Sequence, residues 1–149
     1  MMNIHTYLSP HFLAQLYLSK DVGDIVKKFN FTGTLLDIGC GEKPYLKYFL
    51  NIQKYVGIDY KIYSKHKSSP IGKPDMYFAR NYSKNFILPF KDKEFDHVVS
   101  FQVLEHHPEP DILMSEMRRV VKKGGYLVLT FPFIWSLHEA PHDYHRFTE

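Results

Sequence analysis

Asp37 follows the apolar run Leu35-Leu36 and leads into the turn Ile38-Gly39-Cys40-Gly41; a second acid, Asp59, closes the next apolar run eighteen residues beyond Gly41. Glycine admits a positive φ and lets a ligand approach the main chain closely. An acid at the end of a neighbouring strand is placed to accept hydrogen bonds from both hydroxyls of a ribose. Two such features at coupled spacing point to a ligand that contains a nucleoside. Cys40, inside the turn, has no base assigned to it and reads as a small packing residue.

The ligand can be narrowed by charge. A dinucleotide fingerprint is G-x-G-x-x-G, because a pyrophosphate must rest on a helix N-terminus. Pro44 stands where the third glycine would be, and Asp37 would repel a pyrophosphate. S-adenosylmethionine carries an ammonium and a sulfonium, so electrostatics favour this methyl donor over a nicotinamide cofactor.

Two further stretches carry polar chemistry. Phe101-Gln102-Val103-Leu104-Glu105-His106 follows a later apolar run; Glu105-His106 is either an acid–base unit or a pair of polar residues lining a loop. The stretch from His138 to Thr148 holds His138, Glu139, His142, Asp143 and His145 within eight residues. Their spacing matches no closed ligand pattern, so no metal site is expected.

The elements that must position these residues alternate. Ser9-Pro10 starts a helix, with Phe12, Leu13, Leu16 and Tyr17 and then Val22, Ile25, Val26 and Phe29 at helical spacing. The polar Ser19-Lys20-Asp21 is a candidate break. Strands are expected over 34–38, 55–58, 76–79, 97–101 and 126–131, with a short helix over 45–50. A second long helix is expected from Pro110 to Lys123, with Lys122 and Lys123 in its last turn and Gly124-Gly125 stopping it. This alternation predicts an α/β fold, a doubly wound, mainly parallel sheet. The chain reads as one domain: an N-terminal helical segment over 1–31, a cofactor-binding core over 32–133, and the start of an acceptor-side segment over 134–149.

Composition sets bounds on partners. With 44% hydrophobic and 23% charged residues, the chain is ordinary for a globular protein. A net charge of +3 and a lysine-bearing loop from Lys54 to Lys73 are too little to argue for nucleic acid. The single cysteine excludes a disulfide framework and suits a reducing compartment. Nothing near Met1–Tyr7 has the layout of a signal peptide, and no apolar run is long enough to span a bilayer. The expectation is a cytoplasmic protein.

The segments LLDIGCGEKPY, YVGIDY, LPFKDKEFDHVVSFQVLEHHPEP and MRRVVKKGGYLVLTFPF, in this order over roughly residues 34–133, resemble the class I S-adenosylmethionine-dependent methyltransferases, in particular the type 11 group. The resemblance implies a Rossmann-like methyltransferase fold, S-adenosylmethionine as cofactor and S-adenosylhomocysteine as product. It implies that Asp37, Gly39, Cys40 and Gly41 form the loop beside the methionine moiety. Asp59 would bind the ribose, Tyr60 would lie beside the adenine, and Phe101 and Gln102 would border the methyl-transfer cleft.

Where many relatives have an acid facing the adenine amino group, this chain has Ala79 to Asn85 with no acid. Asn81 is the candidate, since an amide oxygen accepts the same bond; Asn85 is the alternative. The Pro141-His142-Asp143-Tyr144-His145-Arg146-Phe147-Thr148 segment resembles one that borders the acceptor pocket in type 11 relatives. His106, His142 and Tyr144 are therefore the candidate catalytic residues, with Asp143 and Arg146 also on the substrate side.

The expected function is methyl transfer to a small-molecule, sugar or lipid acceptor. The alternative is a non-catalytic cofactor-binding or interaction module with an incomplete acceptor site. Because the pattern stops soon after the fifth strand, the fold is expected to be truncated there. Its apolar edge would then need covering, by a second copy of the chain or by residues 134–149.

Overall fold

The computed structural model describes residues 10–60, 73–78, 86–133, 136 and 142–147. They fall into two compact units, one of residues 1–31 and 45–51, the other of residues 32–44 and 52–149. Asn81 and Asn85 lie outside the described residues, as do most of the lysine loop and His138 to Pro141.

In the smaller unit, helix α1 (Pro10–Phe29) runs unbroken through Ser19-Lys20-Asp21. The Ser19 hydroxyl is not competing with the helix backbone, because it bonds the Tyr48 hydroxyl at 2.7 Å. Asn30 ends the helix in the left-handed region at φ 44, its N–H donating to the Val26 carbonyl at 3.1 Å. The short helix expected over 45–50 is a single 3-10 turn, Leu46–Tyr48. Phe31 and Phe49 pack edge to face with ring centroids 5.6 Å apart.

The larger unit is a five-stranded sheet in the order β3-β2-β1-β4-β5, and every adjacent pair is parallel. The strands are β1 (Gly33–Ile38), β2 (Ile52–Tyr60), β3 (Met76–Phe78), β4 (Phe95–Phe101) and β5 (Val121–Thr130). All five expected strands are present, and the doubly wound order has its reversal between β1 and β4. Leu36, Ile38, Ile58, Val98, Leu113, Met117 and Val120 are fully buried and form the centre of the core.

The boundary between the second long helix and the fifth strand differs from the expectation. Helix α2 (Pro110–Val120) ends before Lys122, and both Lys122 and Lys123 belong to β5. Gly124 and Gly125 sit within the strand at an irregularity in the β4–β5 register. Gly125 is required there by crowding, since a Cβ would lie 2.0 Å from the Asp96 carbonyl oxygen. Lys122 ties down the same bulge by an ion pair with Asp96 at 2.8 Å. The glycines thus serve a strand bulge rather than a helix stop.

Arg119 pins the segment before β4 to α2. It donates to both Glu116 carboxylate oxygens, to Asp92 and to the Leu88 and Phe90 carbonyls, at 2.7–3.0 Å. The side chain is about a quarter exposed, so water can replace part of the ion pairing but not the fork that reaches two carbonyls. Arg119→Ala is expected to cost about 2 kcal/mol in urea unfolding, with Arg119→Lys recovering little of it because a lysine has no planar fork. Full recovery by lysine would show that charge alone matters.

Candidate cofactor and acceptor site

In an open parallel sheet, ligands bind beyond the carboxyl ends of the strands where the strand order reverses. That point lies between the turn after β1 and the turn after β4. Gly39 has φ +73, and its N–H donates to the Ile58 carbonyl at 2.8 Å. Gly41 has φ +50, and a Cβ built on it would meet nothing within 4 Å. The loop therefore offers an open cradle at Gly41, while at Gly39 it presses against Val103.

Asp59 shapes the same loop. Its Oδ2 accepts the Gly41 N–H at 2.7 Å and its Oδ1 accepts the Tyr60 N–H at 2.6 Å. Carboxylate oxygens accept more than one bond each, so hydroxyls can still be bound. Tyr60 lies on the other face of β2. Successive strand residues face opposite sides, and its ring is buried against Phe78, with centroids 4.2 Å apart. From there Phe78, Phe86 and His107 continue an aromatic row.

Asp37 is buried beneath the loop at 1% exposure and accepts a short hydrogen bond from the Tyr55 hydroxyl. Burial pushes its carboxyl up to about 7, against the pull of the Tyr55 bond. Burial likewise pushes up the Cys40 thiol, keeping it a neutral packing group.

Three residues that the sequence reading did not single out complete this face: Tyr55, Lys43 and Asp75. The Lys43 ammonium bonds Asp75 at 2.8 Å and lies 5.5 Å from the centre of the Tyr55 ring. Asp75 also accepts the Gly57 N–H at 2.6 Å. For Tyr55 there was a signal: Tyr55, Gly57 and Asp59 are two residues apart on β2, and Asp37 is in register with Gly57. They share one face, and glycine at its centre leaves room for the Cys40 sulfur and the Lys43 chain.

On the β4 side, Phe101 is buried and Gln102 adopts φ 58. Its N–H donates to the Thr130 carbonyl at 2.9 Å, and its amide reaches the Thr130 hydroxyl at 3.2 Å. The 3-10 turn Leu104–His106 follows. Residues 142–147 dock on this turn. Tyr144 and His145 both donate their N–H to the Glu105 carbonyl, and His106 Nδ1 lies 2.8 Å from the His142 carbonyl oxygen. Because a carbonyl only accepts, that ring nitrogen carries the proton.

The Tyr144 hydroxyl is 3.0 Å from His142 Nδ1. His106 thus comes together with the neighbouring His142 and Tyr144, although 36 positions separate it from His142. Asp143 and Arg146 are paired with each other, the guanidinium gripping both carboxylate oxygens.

A groove of about 480 Å³ lies at the opposite end of the sheet, lined by residues that include Gln53, Asp96, His97, Lys122 and Gly124. Its acid is held by Thr34 and Lys122, and His97 Nδ1 accepts the Tyr126 N–H. These contacts brace the strand starts.

Comparison with known proteins agrees with this geometry. Residues 36–129 match the methyltransferase domain family. An uncharacterised methyltransferase of Mycobacterium tuberculosis is 34% identical over 105 residues, covering 68% of this chain and 40% of that protein. One of Mycobacterium leprae is 35% identical over 103 residues, covering 68% and 37%. The chain therefore spans about two fifths of the length of these relatives.

Among solved structures, a S-adenosylmethionine-dependent methyltransferase of Aquifex aeolicus superposes with a TM-score of 0.52 at 24% identity, over 72% of this chain and 62% of that one. The cyclase SpnF superposes with a TM-score of 0.54 at 24% identity, over 74% and 44%. These structures share the fold, and the cyclase is a reminder that a fold does not dictate the chemistry done on it. The extent of the family match and the identity to the mycobacterial proteins place this chain in the methyltransferase domain family.

Proposed function

We propose that the chain binds S-adenosylmethionine in the crevice between the β1 and β4 turns and transfers its methyl group to a small-molecule, sugar or lipid acceptor. The observation that carries this reading is the Gly41–Asp59 contact, an open glycine cradle hydrogen-bonded to an acid at the end of the adjacent strand. Gly39, Cys40 and Gly41 would line the methionine moiety, with Asp37 as the negative charge beneath it. Asp59 would take the ribose hydroxyls, oriented by the Tyr60 N–H. Phe101 and Gln102 would form the opposite wall, and Asn81 or Asn85 would meet the adenine.

The bound cofactor supplies an activated methyl group on a positively charged sulfur. The protein's own task is to align an acceptor with it and to exclude competing water, which is a source of large rate gains. His106, His142 and Tyr144 stand on the acceptor side, where an imidazole can orient a hydroxyl or take its proton. The acceptor class is inferred from the family resemblance. The half-buried apolar residues Leu127, Val128 and Leu129 of β5 also support a second copy of the chain packing along that edge.

Calorimetric titration with S-adenosylhomocysteine tests the cofactor reading. Micromolar binding is expected, weakened roughly 100-fold in Asp59→Ala, which loses two or more charge-assisted hydrogen bonds. A folded wild-type chain that binds nothing would overturn it.

A further inference from the structure

Asp37, Asp59 and Asp75 all lie within electrostatic reach of the glycine loop, where each raises the energy of a negative charge on Cys40. Against them stands a partly buried cation. Lys43 has a side chain only 10% exposed, a backbone φ of 55 and an N–H that donates to the Cys40 carbonyl at 2.8 Å. Its chain crosses β2 over Gly57, where a Cβ would come within 2.8 Å of Lys43 Cε. Its ammonium ends on Asp75 Oδ1. The other Asp75 oxygen is held by the Gly57 N–H, and the Asp75 N–H donates to the Gly57 carbonyl at 2.7 Å. The acceptor of this lysine is thus fixed to the strand at two points, both on Gly57.

A lysine side chain is long and flexible, and two carboxylates nearer the loop, Asp37 and Asp59, compete for it. If Lys43 paired with either, it would cancel the negative charge that a cationic ligand needs. We infer that Asp75 is a specificity-determining positioning residue: by holding Lys43 across Gly57, it keeps the loop carboxylates available to the positively charged donor and so favours donor over spent product. The inference rests on the cofactor reading above. S-adenosylmethionine differs from S-adenosylhomocysteine by one methyl group and one positive charge, so the two ligands report local charge directly.

The experiment is calorimetric titration of both ligands into wild type, Asp75→Asn, Lys43→Met and the double variant, with thermal melts of each. Asparagine keeps the acceptor for the Gly57 N–H but presents an amide to the lysine. In Asp75→Asn, donor affinity relative to product affinity is expected to fall roughly fivefold, the order of one charge acting across a partly buried site. In Lys43→Met the ratio should move by a similar factor the other way, and the double variant should restore it. A purely structural role would weaken both ligands equally and leave the ratio unchanged in every variant, which would overturn the inference. If Asp75→Asn does not fold, Lys43→Met alone decides by the direction of its ratio. Wild type that binds neither ligand would instead refute the cofactor reading, and this inference with it.

Discussion

Replacing Asp37 with asparagine is expected to stabilise the ligand-free protein above pH 7 while weakening its hold on the cationic donor. The carboxyl is 1% exposed and its one short bond comes from a neutral hydroxyl, Tyr55. The nearby ammonium, on Lys43, is committed to Asp75. Burial raises the carboxyl from 3.8 to about 7, so the folded state binds its proton more tightly than the unfolded chain does. Between pH 3.8 and about 7 the folded protein therefore holds more protons, and this group's contribution to stability declines as pH rises through that window. Above the window the full cost of a buried charge is present, at most about 4 kcal/mol for a rise from 3.8 to about 7. The gain from Asp37→Asn should be near zero at pH 4 and largest at pH 8, where it amounts to roughly 10 °C in Tm.

The same change should weaken S-adenosylmethionine binding at pH 8 by tenfold or more, because a buried charge acting on a cation is little screened. Donor affinity of the wild type should also drop as pH is lowered from 8 to 6, whereas that of Asp37→Asn should stay flat. Thermal melts and titrations at pH 4, 6 and 8 measure both. A variant that gains stability and loses affinity marks a residue kept at a cost to folding for the sake of binding. An unchanged Tm at pH 8 would mean that Asp37 is already neutral or well solvated there.

Much of this arrangement was legible in the sequence, for identifiable reasons. Strands buried on both faces are near-continuous apolar runs, which made Leu35 to Ile38 and Val98 to Phe101 readable. The Gly39–Gly41 turn and Asp59 announce themselves because their chemistry depends on short, fixed spacings. Lys43 and Asp75 were missed because their meaning arises only when the β1 loop and the start of β3 meet across Gly57, a tertiary fact. Strand alternation puts the Tyr60 ring on the opposite face of β2 from Asp59, against Phe78, and that placement was readable from the period of two. Gly124-Gly125 looked like a helix stop because a strand bulge and a helix cap call for the same residue. The meeting of His106 with His142 and Tyr144 depends on residues 142–147 returning to the Glu105 carbonyl, which no local pattern encodes.

Gly39→Ala should be the most damaging single change at the loop. At φ +73 an alanine is strained by about 1 kcal/mol or more, and its Cβ would lie 2.2 Å from Val103 Cγ2 and 3.1 Å from Cγ1. Val103 cannot swing clear, because it is 7% exposed and belongs to the core cluster with Leu104 and Val98. Something must shift, and overpacking of this kind adds about 1–3 kcal/mol to the strain. The shift also separates the β1 loop from the turn that carries Gln102 to His106, so S-adenosylhomocysteine binding should be lost together with stability.

Val103→Ala removes both offending methyl groups at its own cost of about 1 kcal/mol. If the two residues touch as described, the double variant must be less destabilised than the sum of the single ones, with a coupling of at least about 1 kcal/mol in urea unfolding. The positive-φ strain at residue 39 would remain, so the rescue should be partial. Simple additivity would show that the loop does not press on Val103, and that the crevice between the two turns is wider than the structure places it.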